Sequence, residues 1–352
     1  MPERNVAVLF MVGTFYCVVS VACVWLAKMY MSKQLTPSFL ALFQQVTIFI
    51  AYPLLAFIGQ MGVMGFTPFK PVGIHWSIIR KTWVVGLLFS LMIVSSFVCL
   101  KMVDKAQFDM AKGLTLLLAA VTSYLIVGAR QNRWSVLGIM IVTLSFFLNL
   151  TPFLRESAAL AKFGIGSIAA LLSALHMVSV KKFLPHTDNN GMIMLYYTSM
   201  VSVCFLLVPV LIWELPTVRA VVEQPSLLLI WQPIAIGGLL INIATNLNLQ
   251  FFSAVSANTI AQFKNFLQSV MGILAGDPWT YELALSLVMK LVGSIVYVYG
   301  RHVATKAPDT ESESSRSSLV ARMSLSEVPV GESDESDSET APFLKEEKVN
   351  PV

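Results

Sequence analysis

Charge is what this sequence has least of. Only 12% of its 352 residues are Asp, Glu, Lys or Arg, while 56% are apolar and the mean hydropathy is +0.72. A water-soluble chain carries about twice that share of charge. Too few charges remain to cover a soluble surface of this size, so the excess apolar surface faces lipid. Cysteine is equally sparse: Cys17, Cys23, Cys99 and Cys204 lie scattered in apolar stretches without paired spacing. That pattern excludes a disulfide framework and a thiolate zinc site, and leaves small apolar fillers between helices. The four histidines (His75, His176, His186, His302) are isolated, and no GxSxG, HExxH or Walker lysine loop occurs. The apolar stretches hold almost no acids apart from Asp109, so an intramembrane hydrolase lacks its carboxylates. Neither an enzyme nor a cofactor is expected.

What the chain has is long apolar runs. A bilayer core asks for roughly 20 apolar residues per helix. Ten runs meet that scale, near Val6–Met29, Pro37–Val63, Lys81–Val103, Phe108–Gly128, Trp134–Leu150, Phe163–Leu184, Met192–Trp213, Ser226–Phe252, Ser256–Gly276 and Tyr281–Gly300. The expectation is an all-α membrane protein of about ten transmembrane helices, with nine or eleven as neighbouring counts where breaks are thin. GFTPFKPVG (Gly65–Gly73) and LPHTDNNG (Leu184–Gly191) are loops rich in turn formers. The apolar amino end has no small-residue cleavage site and reads as the first span. With that end in the cytosol, loops on the cytosolic side hold ten Lys and Arg against seven on the far side, which favours both termini in the cytosol. The sequon Asn149-Leu-Thr151 lies too close to the membrane to favour glycosylation.

Charge is also unevenly placed. Residues 303–352 carry 11 of the 20 acids but 5 of the 24 bases, which leaves 19 bases against 9 acids in the body. The chain therefore divides into a helical domain, 1–302, and an acidic Ser-rich tail, 303–352, expected to be disordered. Ser336, three residues before Glu339, suits an acid-directed kinase. The tail reads either as a docking segment for kinases or sorting factors or as a solubilising extension. A basic body suits the cytosolic loops of a membrane protein or a polyanionic substrate, and no nucleic-acid partner is expected.

Ionisable groups inside a bilayer cost several kcal/mol unless paired or wetted, so each is a candidate for function. Three lysines qualify: Lys112, Lys264 and Lys290. Lys264 lies in SANTIAQFKNFLQS, where Asn258, Gln262 and Asn265 recur at helical spacing beside Thr259 and Gln268. Such a stripe faces a wet cavity and not lipid. Lys112 has Asp109 three residues earlier, so a local ion pair competes with a substrate role. Lys290 has no polar neighbours. Aligning Phe108–Gly128 with Ile260–Gly276 sets Lys112 against Lys264. Halves of five spans insert in opposite senses, and such inverted repeats place a site near the midplane. Two lysines converging there suit a diphosphate, with amides and hydroxyls for orientation. Gln44 and Gln45 in the second run, and Asn242, Thr245, Asn246 and Asn248 in the eighth, supply these or simply bond helix to helix.

Several stretches carry a family resemblance. SANTIAQFKNFLQSVMGILAGD (Ser256–Asp277) and LVGSIVYVYGRH (Leu291–His302) resemble the ninth and tenth spans of the nucleotide-sugar transporters in the drug/metabolite transporter superfamily (solute carrier family 35 type), which has triose-phosphate-translocator relatives. TPSFLALFQQ (Thr36–Gln45) is similar to their second span, KGLTLLLAAVTSYLIVG (Lys112–Gly128) to their fourth, and LYYTSM (Leu195–Met200) to a base-contacting motif in their seventh. In that motif Thr198 and Ser199 stand where the family usually has asparagines, and a hydroxyl does not reproduce an amide's paired donor and acceptor.

The resemblance implies a ten-helix inverted-repeat antiporter of the Golgi or endoplasmic reticulum. It would import a UDP- or GDP-sugar and return the nucleoside monophosphate. Lys264 and Lys112 would bind phosphates, Asn265 would orient the phosphate or sugar, Gln44 and Gln262 would line the site, and Tyr197, Thr198 and Ser199 would address the base. The order Lys264-Asn265 is that of a UDP-sugar branch. A carrier of another organic anion and a non-transporting scaffold are the competing expectations, and a homodimer is left open.

Overall fold

The computed structural model describes residues 6–31, 36–62, 69–102, 112, 114–153, 157–276 and 280–306. Every regular element among them is helical: α1 (Val6–Met31), α2 (Pro37–Gln60), α3 (Trp76–Met102), α4 (Thr115–Val127), α5 (Arg133–Phe153), α6 (Ser157–Phe183), α7 (Gly191–Trp213), α8 (Leu215–Glu223), α9 (Ser226–Phe251), α10 (Ala254–Leu274) and α11 (Tyr281–Lys306), with a 3₁₀ turn at Leu184–Thr187. Asp109, residues 65–68 of the Gly65–Gly73 loop and the chain beyond Lys306 lie outside the described residues.

Local chemistry sets several ends. Pro37 opens α2, where its fixed φ suits a helix and its missing N–H costs nothing. The Asn190 side chain accepts from Met192 N and Ile193 N to start α7, and Ser253 Oγ accepts from Ser256 N to start α10. Gly128 closes α4 at φ 71°, a left-handed conformation that a side chain would strain.

A helix occupies each of the ten expected positions, yet not all are equally fit to span. Seven are long and apolar enough among the described residues: Phe10–Tyr30, Pro37–Gln60, Trp76–Met102, Gly164–Thr187, Gly191–Trp213, Ser226–Phe251 and Tyr281–Ala304. Thr115–Val127 and Arg133–Leu148 are apolar but shorter. The amides and hydroxyls that line α10 lower its apolarity. The described part of α4 starts at Thr115, seven residues after the expected Phe108, so Lys112 sits in a turn ahead of the helix. The amphipathic α8 follows α7 directly and buries none of its residues.

In lipid, apolar surface does not drive helices together, so close packing and polar contacts must. α3 lies against α6 and α7, α1 against α9 and α10, α2 against α7 and α9, and α4 against α6 and α10. The largest apolar cluster joins Leu40, Phe89, Leu206, Trp231 and Ile234 from four of these helices. Leu54, Phe57, Leu125, Ile212 and Ile295 point outward, as lipid-facing side chains do. Glycine permits the tightest crossing. A Cβ at Gly138 would stand 2.6 Å from the Gly293 carbonyl, and one at Gly300 would stand 2.5 Å from Ser135 N. There α5 and α11 meet backbone on backbone. All four cysteines are free thiols.

Candidate functional site

The polar stripe on α10 turns inward. Asn258, Gln262, Lys264, Asn265, Gln268 and Ser269 are all buried. Asn258 Nδ2 donates to Ala254 O at 3.0 Å and Thr259 Oγ1 to Val255 O at 3.1 Å. These bonds tie both side chains back to the preceding turn. Asn258 Oδ1 and Gln262 Oε1 are buried acceptors with no protein partner, a state that costs on the order of 1–3 kcal/mol when nothing else fills it.

Two adjoining cavities open against this stripe. The smaller, about 60 Å³, is lined by Asn258, Gln262, Asn265 and Thr115 together with Lys112 and Lys264. The larger, about 180 Å³, runs between α1, α3, α6 and α9. Lys112, Lys264, Tyr16, Ser173 and Met177 line both, so the two lysines stand where the cavities meet. A water needs about 10–15 Å³, so both have room to keep a cation hydrated. Among the described residues no Asp or Glu lines either one. The chamber is positive, and its chemistry is that of an anion site.

Lys112 reaches in from its turn, donating from Nζ to Ser96 Oγ on α3 at 3.0 Å. Thr115 Oγ1 donates back to the Lys112 carbonyl at 2.6 Å and holds that turn against the first residue of α4. Gln44, Asn242 and Thr245 line the larger cavity.

The remaining expected residues fall elsewhere. Tyr197 is fully buried, its hydroxyl donating to Gly73 O at 2.9 Å. Ser199 Oγ donates to Tyr196 O, and the Thr198 backbone lies against Gly86 of α3. None of Tyr197, Thr198 and Ser199 lines either cavity. Lys290 is buried on α11 and also lies away from both.

The structure adds residues that the spacing did not single out. Tyr16, Ser20 and Ser96 line the larger cavity, as does His176, whose ring meets the Phe89 ring edge-on with centroids 5.1 Å apart. A histidine alone in an apolar helix was the available signal for the last. Serines at α1 and α3 carry none.

A helical bundle that sets two lysines in a chamber with no carboxylate among its described lining residues is built as a membrane carrier. Curated relatives agree. The chain is 22% identical over 304 residues to GDP-fucose transporter 1 of Dictyostelium discoideum, covering 83% of this chain and 80% of the relative. It is 25% identical over 307 residues to GDP-fucose transporter 1 of Nematostella vectensis (84% and 89%) and 26% identical over 318 residues to that of Monosiga brevicollis (86% and 93%). A solved protein crystal structure shares the fold at a TM-score of 0.54 and 13% identity, covering 84% of this chain and 99% of that one. No protein-family model matches. The chain is thus a relative of the nucleotide-sugar transporters, as its motifs implied, and those relatives are transporters and not enzymes.

Proposed function

We propose that the protein is a nucleotide-sugar:nucleoside-monophosphate antiporter working by alternating access in the Golgi or endoplasmic reticulum membrane. One observation carries the reading: Lys112 and Lys264 line both adjoining cavities, and among the described residues no Asp or Glu lines either one. In this reading the lysines hold the phosphates as point charges, and Asn265 and Gln262 orient the diphosphate or sugar from the same helix. The bound anion, on this reading, offsets the charge of the two lysines. Reorientation is then easier with an anion bound, which makes exchange the natural cycle and requires no ion gradient.

The proposed working domain is 1–302, ten spans in two inverted halves, with 303–352 as a cytosolic tail. The helix neighbours support the halves. Counting α9, α10 and α11 as spans eight, nine and ten, exchange each span for the one five places away. The contact of α3 with α6 becomes that of α9 with α1, α3 with α7 becomes α9 with α2, and α4 with α6 becomes α10 with α1. All these contacts occur. Tyr197, Thr198 and Ser199 can address a base only after the α3–α7 contact at Gly86 opens.

The relatives are named for a GDP-sugar, whereas the Lys264-Asn265 order favours a UDP-sugar, so the test spans both. Liposomes preloaded with GMP or UMP should take up a labelled GDP- or UDP-sugar faster than empty ones. No trans-stimulation by either nucleotide, for any sugar in the panel, would reject the nucleotide-sugar reading in favour of a scaffold or a carrier of a different anion.

A further inference from the structure

We infer that a membrane sterol binds outside the central chamber, in a cavity between α1, α8 and α9, with its hydroxyl donating to Thr217. The site is separate from the proposed nucleotide site, and the inference does not depend on that reading.

The cavity measures about 380 Å³, and its lining includes Tyr30 near the end of α1, Thr217 and Ala220 of α8, and Leu227, Ile230 and Trp231 of α9. Pockets for small molecules run to about 300–1,000 Å³, so the space suits one compact ligand. Ile230 and its neighbour Leu229 are exposed on a helix long and apolar enough to cross a membrane, so the cavity opens toward lipid. The amphipathic α8 joins the end of α7 to the start of α9 with none of its residues buried, as suits a helix lying at the membrane boundary.

Charge narrows the occupant first. No described residue of the lining is charged. Arg219 and Glu223 stand one turn apart on α8, where they offset each other. Such a wall does not draw an anionic headgroup.

Hydrogen bonding narrows it further. Thr36 Oγ1 stands 2.7 Å from Glu214 Oε2 and 3.3 Å from Thr217 Oγ1. A hydroxyl has a single hydrogen, and the carboxylate, nearer and charged, takes that of Thr36. The longer contact therefore runs the other way, with Thr217 donating to Thr36. Thr217 has no second hydrogen, so it meets the cavity with lone pairs, and a ligand there must donate. A sterol hydroxyl does. The ester and phosphate oxygens of phosphatidylcholine only accept: they would serve the Tyr30 phenol or the Trp231 indole and leave Thr217 unmet.

The placement agrees. Thr217 and Glu214 sit where helices end, at the depth where a membrane sterol keeps its hydroxyl. Leu227, Ile230 and Trp231 continue along α9 from its start, an apolar wall for the rings. Trp231 is fixed against Phe39, edge to face with centroids 5.8 Å apart.

Photolabelling tests the assignment. The purified full-length chain, in phosphatidylcholine nanodiscs, is labelled with a diazirine analogue of cholesterol, and unlabelled lipids compete. Cholesterol should compete about tenfold better than its 3-O-methyl ether, which keeps the rings and loses the donated hydrogen, since leaving an acceptor unmet amounts to about that factor. Thr217→Val should bring the two competitors level. Ala220→Trp, which fills the cavity from an exposed position, should abolish the saturable label while the protein stays monodisperse. Equal competition by cholesterol and its ether in the parent chain would overturn the inference, as would labelling that survives Ala220→Trp. Labelling that no sterol displaces would assign the cavity to phospholipid chains instead.

Discussion

Lys28, near the end of α1, donates from Nζ to the carbonyl of Leu100, near the end of α3, at 2.9 Å. Lys181, near the end of α6, does the same to the Leu249 carbonyl near the end of α9, at 2.7 Å. The two ties correspond under the exchange of halves proposed above. Each sets an ammonium on unsatisfied carbonyls at a helix carboxyl end, where a cation contributes about 0.3–1 kcal/mol or somewhat more when partly buried.

The tie at Leu100 also closes one end of the larger cavity, since Ala27 and Leu100 both line it. Lys28→Met should lower the thermal midpoint modestly, by what about 1 kcal/mol commands. It should also speed labelling of Cys23, a buried thiol on the same wall. Unchanged labelling kinetics would mean the tie is a cap and nothing more.

Removing a cavity lysine should abolish exchange while the protein still purifies as a single species. Lys264→Gln is expected to cost at least tenfold in uptake, as loss of a charged hydrogen-bonding partner does. Lys112→Gln should do likewise, and Lys112→Arg should retain part of the activity because the charge and the reach to Ser96 survive. Lys290→Met, away from both cavities, should be compared for uptake in the same liposomes and spare it.

Glu214 serves as an end cap for a distant helix. Its carboxylate accepts from Phe39 N at 2.6 Å, Ser38 N at 3.1 Å and Thr36 Oγ1 at 2.7 Å, all at the start of α2. Glu214→Ala should cost about 1–2 kcal/mol, the range for losing an amino-end cap with its charge, and denaturant or thermal unfolding in detergent would register it. Glu214→Gln should recover part of that loss.

Gly138→Ala should be severe, because its Cβ would strike the Gly293 carbonyl and Tyr297 N, which are backbone atoms with no rotamer to yield. Gly164→Ala, with nothing within 4 Å, is the matched control and should fold as the parent does. Yield of monodisperse protein separates them.

Much of the scaffold was legible from apolar run length alone, because one physical requirement, an internally bonded helix long enough to cross hydrocarbon, governs nearly every residue. The inward stripe at Asn258, Gln262 and Asn265 was legible for a related reason: polar spacing reports a face. Side chains that act across the fold left no such trace. Nothing near Glu214 in sequence points to Thr36, and nothing near Tyr197 points to Gly73. The seventh-span motif was legible as a motif, but whether it faces the cavity depends on how α7 rolls against Gly86 of α3. Lys112 was expected early in a span that starts near Phe108, whereas it lies in a turn ahead of the helix Thr115–Val127.

The Glu214 cap also bears on how the protein is made. Its carboxylate lies 175 positions beyond Phe39, so five further helices, α3 to α7, are synthesised while the first turn of α2 has only water, lipid headgroups or the insertion machinery to satisfy its amides. The amino-terminal half enters the membrane unfinished, and completion waits until the end of α7 leaves the ribosome.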